Sequence, residues 1–460
     1  MISFNLPNIT TFYERTVTSL KVFFSWKQIS EAMDYVDKGG SIQNALSLLT
    51  KRYKLSSIQH RQINGILLET YRRLNTIDRL IKINIPNQSI IKLPPLIRAK
   101  SRVTAYLRLF KPESQLTKHI LSTIKRDKKH PAIRAALERE LEEVYSLATS
   151  EYEEIGYKYF FPPWMVSLFI ETYGKKNSIK IMEALNQPPL TFFRTNPFKI
   201  KEEKVIHELS RKSFKSEKIP QFPFFYKLIS GPRGLPSTEE FKNGLIIIQD
   251  LASARAALVA AKVTPENGTV FDMCSAPGSK LTYFKTLKPS TITIASEFNH
   301  KRINILNHRL DTIKISPIHL VQNDSRSLPL HKKVKFDTIM LDPPCTGIGT
   351  IGSHPEIKWR LKKRAIRWYV KNQYSFLKQA VKHVKPNGHI VYSTCTLTNQ
   401  ENIDLIQKIL SEEKSIELSE TIPEPSLGYP VKEINGTELI LPYYQKTEGF
   451  FIALLKKRVS

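Results

Sequence analysis

The chain has 460 residues, 41% of them hydrophobic and 10% aromatic, so it is long and apolar enough for two or three folded domains with sizeable cores. No apolar run approaches the roughly 20 residues of a membrane span, and residues 1–17 lack the basic and apolar regions of a signal peptide. Three widely spaced cysteines do not make a disulfide framework, and no Cys or His pair has metal-ligand spacing. These observations predict a cytoplasmic protein with no metal site and no membrane partner.

The formal net charge of +28 is a large excess even for a chain of this length. Such an excess is typical of proteins that bind an anionic partner, most often nucleic acid. Solubility alone is the alternative explanation.

Residues 1–150 have the pattern of an all-α domain. The stretches SIQNALSLLTKRY and RQINGILLETYRRLNTIDRLI place apolar residues close to helical period. AIRAALERELEEVYSLA is rich in strong helix formers. Basic runs at 51–54 and 125–129 suit either an RNA-contacting patch or a solvated helix face.

Residues 151–243 predict a small mixed α+β linker subdomain. FFPPWMVSLFIETYG reads as a helix entered through prolines, and TFFRTNPFKI reads as a strand followed by a turn. IPQFPFFYKLISGPRGLPS is rich in proline and aromatic residues and predicts irregular chain.

From residue 244 to 460 short β-branched stretches alternate with helical ones. The strands are TVFDM, ITIAS, IHLVQ, FDTIMLD and HIVYSTC, and the helices include HKRINILNHRLDTI and RAIRWYVKNQYSFLKQAVKHV. This alternation predicts a doubly wound α/β domain with a parallel sheet, whose ligands bind at the carboxyl ends of the strands. Cys274, Cys345 and Cys395 all follow such strands. Structural cysteines usually lie inside elements, so this placement favours a chemical role.

Three strand ends suit a ligand that contains adenosine. FDMCSAPGSK, 271–280, is a strand, a loop and a helix start, where Gly278 would let backbone approach a ligand closely. Glu297 ends the next strand, where an acidic residue typically accepts hydrogen bonds from ribose hydroxyls, and Asp324 ends the third. An ordinary βα turn is the alternative for the first stretch alone.

The sharpest signal is IMLDPPCTGIGT, 339–350. Asp342 leaves the strand into two prolines that hold Cys345 in place, and Gly347 and Gly349 permit close approach. A strand that ends in Asp-Pro-Pro is typical of a site that binds a flat base beside a methyl donor.

The following stretch, SHPEIKWRLKKRAIRWY, interleaves basic and aromatic residues without an acid among the cations. Phosphate contacts and stacking surfaces of this kind are what an RNA site needs, although a solvated helix face remains open. The basic members are Lys358, Arg360, Lys362, Lys363, Arg364 and Arg367, and the aromatic ones are Trp359, Trp368 and Tyr369.

A cysteine after VYST has a chemical explanation. Carbon 5 of cytosine is a poor nucleophile, but a thiolate that adds at carbon 6 makes it enamine-like and able to take a methyl group. A base must then remove the proton from carbon 5 so that the thiol is eliminated. Cysteine suits this role because it combines appreciable thiolate with high reactivity. Lys280 or a helix N-terminus could help to hold the thiolate.

The motifs resemble those of the RsmB/Sun (NOL1/NOP/Sun) family of S-adenosylmethionine-dependent RNA cytosine-5 methyltransferases, over most of the chain. FDMCSAPGSK resembles the family's D-x-C-A-A-P-G-G-K loop, and LDPPCTGIGT resembles its D-x-P-C-S-G-x-G stretch. HPEIKW, YSTCTLTNQEN, NGLIIIQDLASARAA, TFFRTNPFKI and EGFFIALLKK also resemble family stretches, in the family's order. The resemblance implies a Rossmann-like catalytic domain preceded by a NusB-like RNA-binding domain.

The resemblance also implies roles for individual residues. Cys395 would be the nucleophile and Cys345 would assist product release, with Asp342 and Lys280 beside the target cytosine. S-adenosylmethionine would be held by Cys274, Ser275, Ala276, Pro277, Gly278, Ser279, Lys280, Glu297, Arg302, Asp324 and Asp342. The chain departs from the family pattern at Ser275, Ser279, Thr346 and Glu448, and none of these changes removes a group that the chemistry needs.

The expected activity is methyl transfer to carbon 5 of a cytosine in RNA, with small-subunit rRNA as the favoured substrate and tRNA as the alternative. No obligatory protein partner is indicated. An enzyme that methylates an exocyclic nitrogen would also use Asp-Pro-Pro, but it would have no use for Cys395. A non-catalytic ribosome-assembly factor with a methyltransferase-like platform is the alternative from another class.

Overall fold

The computed structural model describes residues 24–232, 234–315, 317–331, 333–427, 429–430 and 435–459. The stretch 1–17, on which the signal-peptide prediction rests, lies outside the described residues. The chain forms two compact units, one ending at Pro163 and the other beginning at Trp164. The three-domain division with boundaries at 150 and 243 stays a prediction.

The first unit is helical throughout its described part, in agreement with the predicted all-α region. Its helices are α1 Trp26–Asp37, α2 Ile42–Tyr53, α3 Ser57–Arg72, α4 Leu74–Lys82, α5 Pro95–Phe110, α6 Gln115–Ile124, α7 Pro131–Glu138, α8 Leu141–Tyr145 and α9 Glu151–Tyr159.

Local sequence explains where several of these helices begin. Ser25 and Ser56 are N-caps whose hydroxyls accept from the backbone of Gln28 and Gln59, and both glutamines bond back to the cap, which completes two capping boxes. The predicted helical stretch RQINGILLETYRRLNTIDRLI is interrupted at Arg73, where α3 ends and α4 begins.

The second unit begins with a small sheet and the elements around it. Their bounds are α10 Pro163–Leu185, β1 Phe192–Thr195, α11 Glu202–Arg211, β2 Lys215–Lys218, β3 Phe225–Ser230, α12 Glu239–Lys242 and β4 Ile246–Ile248. The strands pair antiparallel in the order β2-β3-β1-β4. The prediction of irregular chain was wrong for β3. This segment pairs with β1 and β2, and these tertiary hydrogen bonds make it a strand although the residues before it are rich in proline.

The remaining elements build the large sheet. They are α13 Leu251–Val263, β5 Thr269–Asp272, α14 Ser279–Leu287, β6 Ile292–Glu297, α15 His300–Ile313, β7 His319–Gln322, β8 Phe336–Leu341, α16 Ile357–Arg360, α17 Ala365–His383, β9 Val384–Thr394, α18 Ile403–Glu412, β10 Ile416–Leu418, β11 Tyr429–Pro430, β12 Thr437–Ile440, α19 Pro442–Gln445 and β13 Phe450–Lys457.

The large sheet has the order β11-β12-β13-β9-β8-β5-β6-β7, with β10 also paired to β13. The five strands from β7 to β9 are parallel, and β13 joins β9 antiparallel. All five predicted strands are present, and the order reverses between β5 and β8. This topology confirms the Rossmann-like doubly wound α/β class, and it places the ligand crevice at the carboxyl ends of those strands.

Both faces of the sheet are covered, because neighbouring residues of a strand point to opposite sides. Val270, Met340 and Val391 pack with α13 and α14 on one face. Phe271 and Ile339 belong to the core that α17 and α18 cover on the other. Burial on both faces explains why these strands read as continuous apolar runs rather than as alternating ones. Within the described ranges, no helix is both long enough and apolar enough to cross a membrane.

Candidate active site

A cavity of about 330 Å³ opens at the carboxyl ends of β5, β8 and β9. Its wall includes most of the predicted donor-binding residues, namely Cys274, Ser275, Ala276, Pro277, Ser279, Lys280 and Asp342. Asp272, Ser393 and Glu448 complete its polar lining. The sheet thus brings together residues that lie more than a hundred positions apart in the chain.

The loop after β5 is held by hydrogen bonds to neighbouring strands. The Ser275 amide donates to the carbonyl of Ser296 over 2.9 Å, and the Cys274 amide donates to Asp272 Oδ1 over 3.3 Å. Burial, together with the charge of Asp342, raises the pKa of Asp272 to about 7. The charge of the Asp272 carboxyl is therefore not fully compensated in the cavity.

Gly278 is constrained by the backbone and by its neighbour. It adopts a left-handed conformation (φ +94°), and a Cβ there would lie 2.4 Å from Leu306 Cδ1 of α15. The turn and the packing against α15 therefore favour glycine here, and its contact with the donor stays a prediction. Gly278 is not part of the cavity wall.

Three other predicted donor-binding residues, Glu297, Arg302 and Asp324, also lie outside that wall. Glu297 is buried, pairs with Arg302 at 3.2 Å and accepts the Asn299 amide at 2.9 Å. Asp324 pairs with Arg326 at 2.7 Å. Both acids stand at strand ends as predicted, and their contact with the donor stays a prediction.

The residues present fit a cationic methyl donor. Burial and the adjacent Asp250 raise the pKa of Glu448 to about 8, in the same wall as Asp272 and Asp342. Carboxyls whose ionisation is suppressed by burial gain from a bound positive charge, and S-adenosylmethionine carries a sulfonium and an ammonium group. Glu448, which departs from the family pattern, thus still supplies the carboxyl group that an aspartate would supply at this position.

The two cysteines after β8 and β9 are in direct contact. Cys345 Sγ lies 3.2 Å from Cys395 Sγ, and both side chains are partly buried. The hydrogen bond with Cys395, and burial, raise the pKa of Cys345 well above its ordinary range. Cys345 therefore favours its protonated form, and the two sulfurs are close enough to share a hydrogen bond.

Lys280 and Asp342 form an ion pair beside the cysteines. Lys280 Nζ lies 2.6 Å from Asp342 Oδ2, and the Ser393 hydroxyl donates to Asp342 Oδ1 over 3.0 Å. Burial lowers the pKa of Lys280, but the charge of Asp342 and its hydrogen bond outweigh burial, so the pKa is raised. Lys280 stays protonated, and the charge of a Cys395 thiolate acts in the same direction.

Gly349, in the loop after Cys345, packs tightly against the backbone of two other loops. A Cβ on Gly349 would lie 2.0 Å from the carbonyl oxygen of Gly449. The Gly349 amide donates to the carbonyl of Cys395 over 3.0 Å, and the Gly449 amide donates to that of Gly349 over 2.9 Å. Gly349 thus permits a close approach as expected, and the groups that approach it are the backbones of Gly449 and Cys395.

Sequence reasoning assigned no role to Glu401, which is buried beneath both cysteine loops. The available signal was its place in YSTCTLTNQEN, six residues after Cys395. Three of its four side-chain hydrogen bonds come from the distant residues Thr346 and Gln373, which no local pattern reveals.

The basic stretch around α16 and α17 is exposed with one exception. Arg360, Lys362, Lys363, Arg364, Arg367 and Trp368 face solvent. Lys358 is buried, and its ammonium donates to Asn186 Oδ1 over 2.6 Å, so it does not belong to the surface on which it was expected. Trp368 is 58% exposed and packs edge-to-face on Tyr369, with 5.0 Å between ring centroids.

Comparison with known families agrees with the fold. Residues 260–456 match the family model described as 16S rRNA methyltransferase RsmB/F, and residues 161–226 match the RsmF/B-like ferredoxin-like domain. A relative from Synechocystis, described as a probable ribosomal RNA small subunit methyltransferase B, is 26% identical over 90% of this chain and 94% of its own. A Bacillus subtilis protein of the same description is 30% identical over 65% of this chain and 66% of its own.

Solved structures have the same architecture. The crystal structure of PH0851 aligns over 95% of this chain and all of its own, with a TM-score of 0.77 and 26% identity. The structure of NSun6 from Pyrococcus horikoshii with SFG aligns over 65% of this chain and 99% of its own, with a TM-score of 0.59 and 23% identity, a level that shows the fold. The chain therefore belongs to the RsmB/Sun family of RNA methyltransferases, whose methyl donor is S-adenosylmethionine.

Proposed function

We propose that this protein methylates carbon 5 of a cytosine in small-subunit rRNA through a covalent bond to Cys395. The observation that carries the proposal is the contact of 3.2 Å between Cys345 and Cys395 at the ends of adjacent parallel strands, beside the donor cavity. The small-subunit rRNA substrate is supported by the descriptions of the relatives from Synechocystis and Bacillus subtilis.

Cys395 adds to the base in the first step. Its thiolate attacks carbon 6, and the displaced electron pair makes carbon 5 nucleophilic. Bound S-adenosylmethionine supplies an electrophilic methyl group. Cys395 is the better attacking group because Cys345 is held as a thiol by its hydrogen bond and by burial.

Cys345 acts after the methyl group is in place. Once Cys395 is bonded to carbon 6, it no longer carries a charge or offers a strong acceptor to Cys345. The main cause of the raised pKa of Cys345 is then lost, so this thiol becomes easier to ionise. A Cys345 thiolate takes the proton from carbon 5. The C–H electron pair forms the 5,6 double bond, and the C–S bond breaks to release Cys395 as thiolate.

Lys280 and Asp342 orient the cytosine ring. A protonated amine donates hydrogen bonds and a carboxylate accepts them, so the pair matches an acceptor and an amino group on the polar edge of the base. Charge that builds up on the ring when Cys395 adds is stabilised by the nearby Lys280 ammonium. The Ser393 hydroxyl fixes Asp342 at 3.0 Å and keeps this edge-binding pair in place.

RNA reaches the site along the exposed basic face of α17. Gln373 on this helix donates to the carbonyl of Pro344 over 3.0 Å, which ties the helix to the loop of Cys345. Burial raises the pKa of Tyr369 on the same helix, with smaller contributions from Cys345 and Glu401, so this residue is close to the cysteine site. Trp368 offers an exposed ring for base stacking, while the cations contact phosphates.

Reversing two charges on this face, Lys362→Glu with Lys363→Glu, is expected to weaken RNA binding. The slope of log affinity against log salt should fall by about 1 for each lysine that contacts a phosphate. Fluorescence titration at several salt concentrations measures this slope. Lys201→Glu with Lys204→Glu, exposed and equal in charge, is the control. If both pairs weaken binding equally, total charge rather than this face governs affinity.

The product of the reaction tests the proposal directly. The protein is incubated with methyl-labelled S-adenosylmethionine and separate pools of 16S rRNA, small subunits and tRNA, all from a source that lacks the modification. Each RNA is digested to nucleosides and analysed by mass spectrometry. We expect 5-methylcytidine in rRNA. N4-methylcytidine would overturn the carbon-5 chemistry, label confined to tRNA would overturn the rRNA substrate, and no label in any pool would favour the assembly-factor function.

A further inference from the structure

Glu401 is a buried carboxylate whose four hydrogen bonds all come from neutral donors. Its side chain is 0% exposed, at the turn that follows the Cys395 loop. Oε1 accepts from the Thr346 amide and from Gln373 Nε2, both at 2.9 Å. Oε2 accepts from the hydroxyl of Thr346 at 2.6 Å and from that of Thr398 at 2.8 Å. A buried charge held only by dipoles is costly, so its presence beneath the cysteine loops points to a role.

These bonds join the two cysteine loops to each other. Thr346 follows Cys345 directly, and its hydroxyl also lies 2.5 Å from the hydroxyl of Thr396, which follows Cys395. Thr398 belongs to the same loop as Thr396. Glu401 therefore contacts the residue after one cysteine and, through two threonines, the loop of the other.

Glu401 also ties the pair to α17 through its carboxylate and to β9 through its backbone carbonyl. Gln373 bridges Glu401 to the carbonyl of Pro344, immediately before Cys345. The Tyr392 hydroxyl of β9 donates to the backbone carbonyl of Glu401 over 2.7 Å. Movement of Glu401 would thus disturb the chain on both sides of Cys345.

Glu401 also places a negative charge close to Cys345. The groups that face this thiol are Cys395 and Asp342 at the strand ends, Glu401 below, Tyr369 on α17 and Tyr392 on β9. Lys280, the nearby cation, is paired with Asp342 and interacts with Cys395. A fixed carboxylate disfavours a second negative charge at Cys345. Cys395, in contrast, interacts with the positive charge of Lys280.

We infer that Glu401 is a positioning residue that holds the two cysteine loops in register and assigns the thiolate to Cys395 rather than to Cys345. The assignment of these two roles rests on the proposed function.

The test compares Glu401→Gln with Glu401→Ala and with Glu420→Gln, a change at an exposed acid. Glutamine can keep all four contacts, because its oxygen accepts from the two N–H donors and its amide donates to the two hydroxyls. It therefore removes the charge alone, whereas alanine removes the contacts as well. Thermal melting and donor binding establish which variants are folded.

The measurement is alkylation of each cysteine by iodoacetamide across a pH series, without RNA or donor, read by peptide mass spectrometry. In the wild type we expect Cys395 to react first and Cys345 to lag. In Glu401→Gln the rate at Cys345 should rise by about tenfold at fixed pH, equivalent to one pKa unit, while the Glu420→Gln profile stays that of the wild type. In Glu401→Ala, kcat should fall by about a hundredfold with KM for the donor unchanged, as expected for misplaced reacting groups.

An unchanged ratio of Cys345 to Cys395 alkylation in folded Glu401→Gln would overturn the charge assignment. Full kcat in folded Glu401→Ala would overturn the positioning role. Alkylation does not depend on the RNA or on the product formed. If the wild type makes no 5-methylcytidine but Glu401→Gln still shows the raised Cys345 rate, the proposed function fails and the charge assignment stands.

Discussion

Replacing Cys395 with alanine is expected to lower methyl transfer to RNA by about 10⁴-fold or more, the scale seen when a covalent nucleophile is removed. Without addition at carbon 6, carbon 5 has no electron pair to offer, so donor binding and ring positioning cannot rescue the reaction. Methyl incorporation into RNA under single-turnover conditions measures the loss. Melting temperature and donor affinity should stay close to wild type, because Cys395 is outside the wall of the donor cavity.

Cys395→Ser is the matched control for this prediction. Serine preserves size and hydrogen bonding but ionises far less readily than a thiol, so we expect it to be as inactive as alanine. A serine variant with near wild-type activity would show that Cys395 only packs in the site. Activity in the alanine variant would instead favour methylation of an exocyclic nitrogen, which needs no covalent adduct.

Replacing Cys345 with alanine is expected to trap the protein on its RNA. Addition and methylation still proceed, but the proton on carbon 5 is no longer removed by the neighbouring sulfur 3.2 Å from Cys395. Multiple turnover should fall by about 10²–10⁴-fold, the usual contribution of a proton-transfer group. A denaturing protein gel should show a band that carries both labelled methyl groups and RNA.

The double variant Cys345→Ala with Cys395→Ala controls for non-specific crosslinking. It should give neither adduct nor product, because it lacks the sulfur that forms the bond. An adduct that persists in the double variant would place the covalent bond elsewhere. Rapid turnover by Cys345→Ala without any trapped band would show that another group removes the proton, and Asp342, which we place beside the ring, is then the first residue to replace.

The two cysteines depend on neighbouring strands for their contact. β8 and β9 are parallel and adjacent, so Asp342 and Ser393 lie side by side, and the loops that follow meet above them. The closest packing is between Gly349, Gly449 and the Cys395 carbonyl. Two thiols can be held in contact at this place because the sheet fixes the carboxyl ends of the two strands that precede them.

Much of the fold was readable because its signals are local. The five parallel strands are short, β-branched and bounded by turn residues, and their alternation with helices permits few topologies. The strand β3 was missed because its hydrogen bonds come from β1 and β2, which a local pattern does not show. The proline and aromatic residues nearby indicated irregular chain instead. Lys358 was misplaced for a similar reason, because a basic run does not reveal which of its members faces the interior.

The sequence by itself determined the class of sheet, the position of each cysteine at a strand end and the family resemblance, because these follow from residue type and spacing along the chain. The tertiary structure decided which distant groups meet. It brings Cys345 to Cys395 and Lys280 to Asp342, places Leu306 against Gly278, and sets Glu401 beneath both loops. These contacts join segments far apart in the chain, and their strength depends on burial and orientation, which only the folded sheet defines.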